Sequence, residues 1–295
     1  MRLARFRSKT DDETRVGVER DGLLWEVAEP WLTALASCAG PTPRVLTETG
    51  RSFALVDCEL LAPLPAQGRG VFSVGMNYLD HDAEARGLLR APETEDPVLF
   101  VKLASAMADP NAGLLLDRDV SEQFDWEVEL GVVIGRPGRD IHPDDVPKHV
   151  AGYTIVNDVT ARDLQRRHVQ WFLGKNVDAS SPIGPWVTTL DEAGYPPALE
   201  LVLTVNGEEK QRGKTTDMVH DVPKLVSTVS KAVELQTGDV FATGTPAGVG
   251  FARQPPEFLR VGDVIEARIE NLGQQRNVVT GRADTAAGDQ RTGVS

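Results

Sequence analysis

Seven short apolar segments in the main body of the chain constrain its fold more than any other feature. Their length and composition predict β-strands at Val71–Val74, Val98–Val101, Trp126–Ile134, Val150–Ile155, Leu199–Val205, Asp239–Thr243 and Asp263–Glu270. Helical spacing is rarer and predicts helices over Asn77–Arg86, Thr160–His168 and Val222–Val233. Because strands and helices do not alternate regularly, a doubly wound parallel sheet is disfavoured. The pattern predicts a β-rich α+β fold.

A cluster of proline and glycine between residues 63 and 70 divides the chain, as a linker does. Before it, two alternating runs flank Asp21-Gly22, which predicts a β-hairpin. We therefore expect a small N-terminal β-containing module over residues 1–65 that packs on a main domain over residues 66–280. Residues 281–295 are polar and small, and we expect them to form a disordered tail.

Charge and composition exclude several classes of partner. The chain has 31 Lys and Arg against 44 Asp and Glu, a net charge of −13, so we expect no nucleic-acid partner. Its apolar runs are far shorter than the ~20 residues that span a bilayer, so we expect no membrane association. Cys38 and Cys58 are too few for a disulfide framework, which fits a cytoplasmic location. A small anionic substrate would need local positive charge against this acidic field.

Two glutamates interrupt the apolar run that ends at Ile134. On a strand, Glu127 and Glu129 share one face and lie about 7 Å apart. Such a pair commonly faces solvent. The alternative is a site for a hard cation such as Mg²⁺ or Ca²⁺, because a bound metal relieves the repulsion between converging carboxylates. That alternative requires a third oxygen ligand.

Asp158 is the candidate third ligand. It stands between a predicted strand and a predicted helix, and it could equally cap that helix. Arg162 and Gln165 are three residues apart on one face of the helix, so they would bring a cation and an amide near a metal. For Arg162, an ordinary surface salt bridge is the alternative.

His81 and Glu84 are spaced three residues apart on another predicted helix. A carboxylate that holds one imidazole nitrogen makes the other nitrogen a general base. A chance pair at the surface is the alternative. Lys175 follows a glycine, and a lysine is more often solvated than buried.

The segment Phe241–Gly250 is a strand that runs into a glycine-rich loop. A dinucleotide-binding fingerprint would require a helix directly after it, and Pro246 opposes one. We expect the loop to approach a ligand with its backbone instead, since glycine allows close contact.

Together these motifs resemble the fumarylacetoacetate hydrolase family over residues 71–279, in particular its acylpyruvase-like and 2-hydroxyhepta-2,4-diene-1,7-dioate isomerase-like branch. The motifs that carry the resemblance are Gly75–Glu84, Pro97–Lys102, Trp126–Leu130, Gly152–Asp163, Phe172–Lys175 and Gly244–Gly250. Two positions depart from the family pattern. Leu103 follows Lys102 where Lys-Pro is common, and Asn176 follows Lys175 where serine is usual. We expect both departures to alter the wall of the pocket.

The resemblance implies a mixed β-sandwich roll, in a homodimer, with a divalent metal that is commonly Mg²⁺ and is replaceable by Mn²⁺ or Ca²⁺. The residue roles that it implies are metal ligands Glu127, Glu129 and Asp158; the paired base His81 and Glu84; charge stabilisers Lys175 and Gln165; and substrate contacts Arg162, Tyr78 and Thr245.

The resemblance also implies a small anionic 2-oxo or 2,4-dioxo acid as substrate. The reaction we expect is hydrolytic C–C cleavage of an acylpyruvate-like acid through a metal-bound enolate. Isomerisation or decarboxylation through the same enolate stays open. A silent metal-binding homologue and a structural Ca²⁺ site are alternatives of another class. The intact His81–Glu84 pair disfavours the first, and the presence of Arg162, Gln165 and Lys175 disfavours the second.

Overall fold

The structure of the protein is a computed structural model that describes residues 1–64, 68–85 and 96–281. The strands are β1 (Arg2–Ser8), β2 (Arg15–Arg20), β3 (Leu23–Val27), β4 (Glu48–Ala54), β5 (Cys58–Leu61), β6 (Val71–Gly75), β7 (Val98–Lys102), β8 (Met107–Ala108), β9 (Leu114–Leu115), β10 (Phe124–Asp125), β11 (Val128–Ile134), β12 (Val150–Asn157), β13 (Thr160–Ala161), β14 (Ser181–Thr189), β15 (Glu200–Val205), β16 (Glu208–Lys214), β17 (Val240–Ala242), β18 (Val264–Ile269) and β19 (Gly273–Thr280). The α-helices are α1 (Trp31–Ser37), α2 (Leu79–Ala85), α3 (Arg162–Arg167), α4 (Phe172–Lys175), α5 (Leu190–Ala193) and α6 (Val222–Ala232). Short 3₁₀ helices lie at Leu55–Asp57, Ala104–Ala106, Pro143–Lys148, Thr215–Asp217 and Gly250–Ala252.

The predicted β-rich fold is confirmed. All seven predicted strands are present, although β11 begins at Val128 rather than at Trp126. The Asp21-Gly22 turn joins β2 to β3 with positive φ at both residues, as a tight hairpin requires. Helix α6 begins directly after Asp221, whose side chain accepts a hydrogen bond from the Lys224 N–H.

One large sheet runs through most of the molecule in the order β4-β3-β2-β1-β14-β12-β11-β17-β6-β7. Strand β1 joins its two parts, because it pairs with β2 on one edge and with β14 on the other. The N-terminal strands therefore extend the same sheet that carries β11 and β12. The expected domain boundary at residues 65 and 66 and residues 282–295 of the expected tail lie outside the described residues.

A second sheet, in the order β16-β15-β18-β19-β9, packs against the first. Alternate side chains of β11, from Val128 to Ile134, share one apolar core with side chains of β15 and β18. Val133, on the opposite face of β11, belongs to a different core. This alternation is the sandwich arrangement that the resemblance implied. In the described part of the chain, no helix is long and apolar enough to cross a membrane.

The pairing register brings three chain segments to one place. Val128, at the start of β11, pairs with Asn157, at the end of β12. On the other side of β11, Gly131 pairs with Ala242, at the end of β17. The residues before β11, after β12 and after β17 are therefore neighbours in space although they are far apart in the sequence.

Candidate metal and active site

Three carboxylates converge at this meeting point. Glu129 lies on β11, Glu127 directly precedes that strand, and Asp158 directly follows β12. All three residues are buried, with exposed fractions of 4% or less. Each offers one oxygen, and these oxygens lie within 4.8 Å of one another. The structure thus brings together the carboxylates that the sequence analysis singled out.

The alternatives considered from the sequence are wrong for these residues. Glu127 and Glu129 do not face solvent, and Glu127 is not part of the strand that carries Glu129. Asp158 caps no helix, because α3 begins at Arg162 and its N-cap is Ala161. Arg162 is not at the surface either, since its side chain is fully buried.

A different buried donor holds one oxygen of each carboxylate. The pairs are Glu127 Oε1 with Arg162 Nη2 at 2.7 Å, Asp158 Oδ1 with Lys102 Nζ at 2.6 Å, and Glu129 Oε2 with the Gly244 N–H at 2.9 Å. These contacts fix how each carboxylate is oriented within the cluster.

Lys175 lies between two of the carboxylates. Its Nζ donates to Glu127 Oε2 at 2.5 Å and to Asp158 Oδ2 at 2.8 Å. It also lies 5.1 Å from the centroid of the Phe100 ring. Lys175 therefore lies at the cluster, and it is buried rather than solvated.

The pKa values of Glu127 and Glu129 are shifted in opposite directions because the buried cations lie closer to Glu127. Burial alone would raise the pKa of Glu127, but Lys175 and Arg162 lower it to about 2. Burial raises the pKa of Glu129 well above its ordinary value, and the negative charges of Asp158 and Glu127 raise it further. Burial lowers the pKa of Lys102. Glu129 is thus the ligand candidate with the least positive charge beside it.

The donor set fits a hard divalent cation. Oxygen ligands of Mg²⁺ lie roughly 3 Å apart when adjacent and roughly 4.2 Å apart when opposite, given metal–oxygen distances of about 2.1 Å. The separations within the cluster, all at most 4.8 Å, require only small side-chain shifts to match. A cation would also favour the ionised form of Glu129, which burial and the neighbouring carboxylates disfavour.

The paired base lies on α2 and faces the same cavity as the carboxylates. His81 Nδ1 lies 2.9 Å from Glu84 Oε1, so the predicted contact is present. Glu84 in turn accepts hydrogen bonds from the N–H groups of Gly248 and Val249. His81 is buried and lines a small cavity together with Glu127, Glu129, Gln165, Lys175 and Thr245.

The backbone N–H groups of the glycine-rich loop donate hydrogen bonds to carboxylates of the protein itself. They donate to Glu129 from Gly244, to Glu84 from Gly248, and to Asp125 from Gly250 and Phe251. Gly248 adopts φ +106°, and a Cβ there would lie 2.1 Å from the backbone oxygen of Lys210. Glycine is required at position 248 because the loop passes so close to the backbone of Lys210.

Two of the predicted substrate contacts are used mainly within the protein. The Thr245 hydroxyl donates to the Val128 carbonyl and accepts from Gln211 Nε2, each at 2.8 Å. Arg162 Nη1 donates to Gln165 Oε1 at 3.0 Å, and Arg162 Nε donates to Asp125 at 2.8 Å. Arg162 is therefore packed behind Glu127 and Gln165.

Tyr78, the third predicted substrate contact, is 1% exposed. Its hydroxyl has no hydrogen-bond partner among the residues that the structure describes. The negative charge of Glu129 contributes to a raised pKa for this phenol, after the larger effect of burial. The hydroxyl is thus a buried polar group near the cluster.

Sequence reasoning missed two residues that organise the cluster. Lys102 is the last residue of an apolar strand, and it shares the inward face of that strand with Val98 and Phe100. This alternation was the sequence signal that could have predicted its burial. Asp125 gave no comparable signal, because its four partners come from three separate segments: the Trp126 N–H, the Gly250 and Phe251 N–H groups, and Arg162 Nε.

Comparison with known proteins assigns the class of protein. The family model described as fumarylacetoacetate (FAA) hydrolase, C-terminal, matches residues 70–280. The chain belongs to the fumarylacetoacetate hydrolase family and is an enzyme of that family. Enzymes of this family generally use divalent metals, and the buried acidic triad can bind one.

Three relatives illustrate its range. The chain is 38% identical over 287 residues to 2,4-didehydro-3-deoxy-L-rhamnonate hydrolase of Sphingomonas sp. strain SKA58. This match covers 95% of this chain and 96% of that one. It is 40% identical over 227 residues to oxaloacetate tautomerase YisK of Bacillus subtilis, covering 77% and 75%. The solved structure of fumarylacetoacetate hydrolase from Exiguobacterium antarcticum matches with a TM-score of 0.80 and 38% identity, and the match covers 96% of this chain and 100% of that one.

The first prediction concerns Gly248. We expect Gly248→Ala to destabilise the protein by more than about 2 kcal/mol, because the new Cβ would clash with the backbone of Lys210 at a strained positive φ. Chemical denaturation would measure the change in the free energy of unfolding. Gly207→Ala is the matched control: φ there is also positive, but no atom lies within 4 Å, so we expect only about 1 kcal/mol. Equal losses would contradict the argument.

Proposed function

We propose that the protein is a divalent-metal-dependent hydrolase that cleaves a C–C bond of an acylpyruvate-like 2,4-dioxo acid. The observation that carries this proposal is the cavity that Glu127, Glu129 and Lys175 share with a histidine already held by a carboxylate. A relative that matches nearly the whole chain is named as a hydrolase, which supports the same reaction type.

Glu127, Glu129 and Asp158 would hold the metal, with Mg²⁺ as the proposed ion and Mn²⁺ or Ca²⁺ as substitutes. When bound, a hard divalent cation polarises the carboxylate and keto oxygens of a 2-oxo acid as a Lewis acid. Lys102, Arg162 and Gly244 hold the three ligands from behind, so the ligand oxygens keep their orientation as substrate enters.

His81 would act as the general base. Glu84 holds Nδ1, which leaves Nε2 to take a proton from water. The hydroxide formed adds to the distal carbonyl carbon, and the C–C bond then breaks. The acyl group leaves as a carboxylic acid, and the remaining enolate takes up a proton to become a 2-oxo acid. Lys175 and Gln165 would stabilise the negative charge that develops on the oxygen.

The charges of the buried site favour an anionic substrate. Four buried carboxylates, Asp125 included, face three buried cations, which are Lys102, Arg162 and Lys175. With all four carboxylates ionised, as they would be around a bound metal, this leaves one net negative charge, and a divalent cation would convert it to one net positive charge. The local positive charge would attract a small organic anion that the rest of the chain, with its net charge of −13, repels. The orphan hydroxyl of Tyr78 offers a further donor near the cluster.

Isomerisation is the second candidate. A relative 40% identical to this chain is named as an oxaloacetate tautomerase, and tautomerisation needs only proton transfers at the enolate. Decarboxylation of an oxaloacetate-like acid would use the same charge stabilisation. A panel of 2,4-dioxo acids, oxaloacetate and 2-oxo-enoic diacids, assayed with added Mg²⁺, separates these reactions.

The second prediction concerns the base. His81→Ala should lower hydrolysis of acylpyruvates by roughly 10²- to 10⁴-fold, the usual contribution of a positioned general base. Pyruvate release measures the rate, and calorimetry should find metal affinity unchanged because His81 is not a proposed ligand. Glu84→Gln should cause a smaller loss, since it weakens the orientation of the imidazole without removing it. Parental turnover in both variants would exclude this base.

The third prediction concerns the metal. Asp158→Asn keeps the shape of the side chain but removes a charged ligand, so Mg²⁺ affinity measured by calorimetry should fall at least about tenfold. Asp178→Asn is the matched control, because Asp178 is exposed and should leave the affinity unchanged. Equal Mg²⁺ affinity in the parent and in the Asp158 variant would refute the proposed ligand set.

The fourth prediction concerns assembly. We propose a cytoplasmic homodimer, in line with the family resemblance and the two free cysteines. Large apolar side chains of β7 and α4 are exposed by 41–48%, and their burial between subunits would favour association. Light scattering at micromolar concentration should give twice the mass of the 32.0 kDa chain. A monomer mass would contradict the proposal.

A further inference from the structure

Asn176 completes the outer edge of the large sheet with its side chain. Strand β7 ends the sheet, so one edge of its backbone has no neighbouring strand in the described sheet. Asn176 Oδ1 accepts from the Leu103 N–H at 2.5 Å, and Asn176 Nδ2 donates to the Val101 carbonyl at 3.1 Å. The carboxamide thus pairs with β7 much as a peptide group of an adjacent strand would.

The same carboxamide fixes the end of helix α4. Asn176 Nδ2 also donates to the Phe172 carbonyl at 2.9 Å, which satisfies a carbonyl of the helix. Helix α4 spans only Phe172–Lys175, and a single turn has little stability of its own. Its position therefore depends on contacts such as these.

A second link joins the same two segments from inside the protein. The Lys102 ammonium donates to the Lys175 carbonyl and to the Val159 carbonyl, and it forms the ion pair with Asp158. The Phe100 ring lies beside Lys175 Nζ. Strand β7 therefore contacts Lys175 at its backbone and at its ammonium, and Asn176 holds the strand and the helix together.

We propose that Asn176 is a positioning residue for Lys175: its carboxamide fixes α4 to β7 so that Lys175 Nζ points at the carboxylate cluster. The role of Lys175 as charge stabiliser rests on the proposed function. The two departures from the family pattern, Leu103 and Asn176, are joined by one hydrogen bond. A proline at position 103 would have no N–H to donate, so this hydrogen bond requires both departures.

Two variants of Asn176 test this inference without changing any charge, and a variant of Asp178 serves as the control. Asn176→Ala removes all three hydrogen bonds, and kcat should fall roughly tenfold, as is usual when an outer partner of a site is lost. KM and Mg²⁺ affinity should change less than about threefold, because the metal ligands keep their own partners. Asn176→Ser should behave similarly, since one hydroxyl cannot replace the carboxamide. Asp178→Ala, at an exposed position nearby, should match the parent.

Leu103→Pro isolates one hydrogen bond. Leu103 has φ −64° and ψ 152°, which proline adopts without strain, so the substitution removes the N–H donor and leaves the backbone in place. It should lower kcat about two- to fivefold in the parent and have no effect in the Asn176→Ala background, where the bond is already absent. Additive losses would overturn the coupling.

A crystal structure of the Asn176→Ala variant gives a readout that does not depend on activity. Lys175 Nζ should move from Asp158 Oδ2 by about 1 Å or more, a misplacement large enough to explain the loss of rate. Unchanged kcat with Lys175 in place would overturn the inference, as would a lower melting temperature with unchanged kcat. If the parent turns over none of the 2-oxo acids, the proposed function fails, and the position of Lys175 still decides this inference.

Discussion

The burial of four carboxylates in one site is the constraint on which the rest of the structure depends. Ionised groups out of water are strongly unfavourable unless charged partners and hydrogen-bond donors surround them. The partners here come from distant parts of the chain: Lys102 from β7, Arg162 from α3, Lys175 from α4, and backbone N–H groups from the loop after β17. The buried carboxylates are therefore stabilised only when the sheet register, the loop conformation and the helix positions are all native, because each of these supplies one of the partners. The same contacts specify the fold and the candidate site.

Much of the architecture could be predicted from the sequence because it depends on local patterns, and the carboxylates of the cluster were identified because they interrupt or end apolar strand patterns. Apolar runs identified the seven strands, and residue spacing identified the His81–Glu84 pair. Strand β14 was not among the predicted strands, because it contains Pro182, Gly184 and Pro185, and yet it is buried in the centre of the sheet. Prolines are normally excluded from central strands. In this strand they are tolerated because the pairing with β12 shifts register close to Pro185.

Long-range contacts account for the remaining errors. Glu127 was placed on the strand of Glu129, but its peptide leaves the ladder, since the Glu127 N–H donates to the Asn157 side chain and the Glu127 carbonyl accepts from the Asp158 N–H. No local spacing contains that information. The loop after β17 was expected to approach a ligand with its backbone, whereas its N–H groups orient protein carboxylates that in turn face the cavity. Only the three-dimensional arrangement distinguishes these two uses of the same glycines.

The pairing of β1 with β14 has a consequence for how this chain can be divided. Removing the first 65 residues would expose the edge of β14 at Val187 and Thr188, where β1 now pairs with it, and leave backbone N–H and C=O groups there unpaired. Apolar side chains of β14 that share a core with Leu3 of β1, including Ile183 and Val187, would also lose part of their cover. Such an edge promotes sheet-to-sheet aggregation. The N-terminal strands therefore protect an edge of the sheet that carries the candidate site. A shortened gene that encodes only the region matched by the family is for this reason a poor starting point for protein engineering.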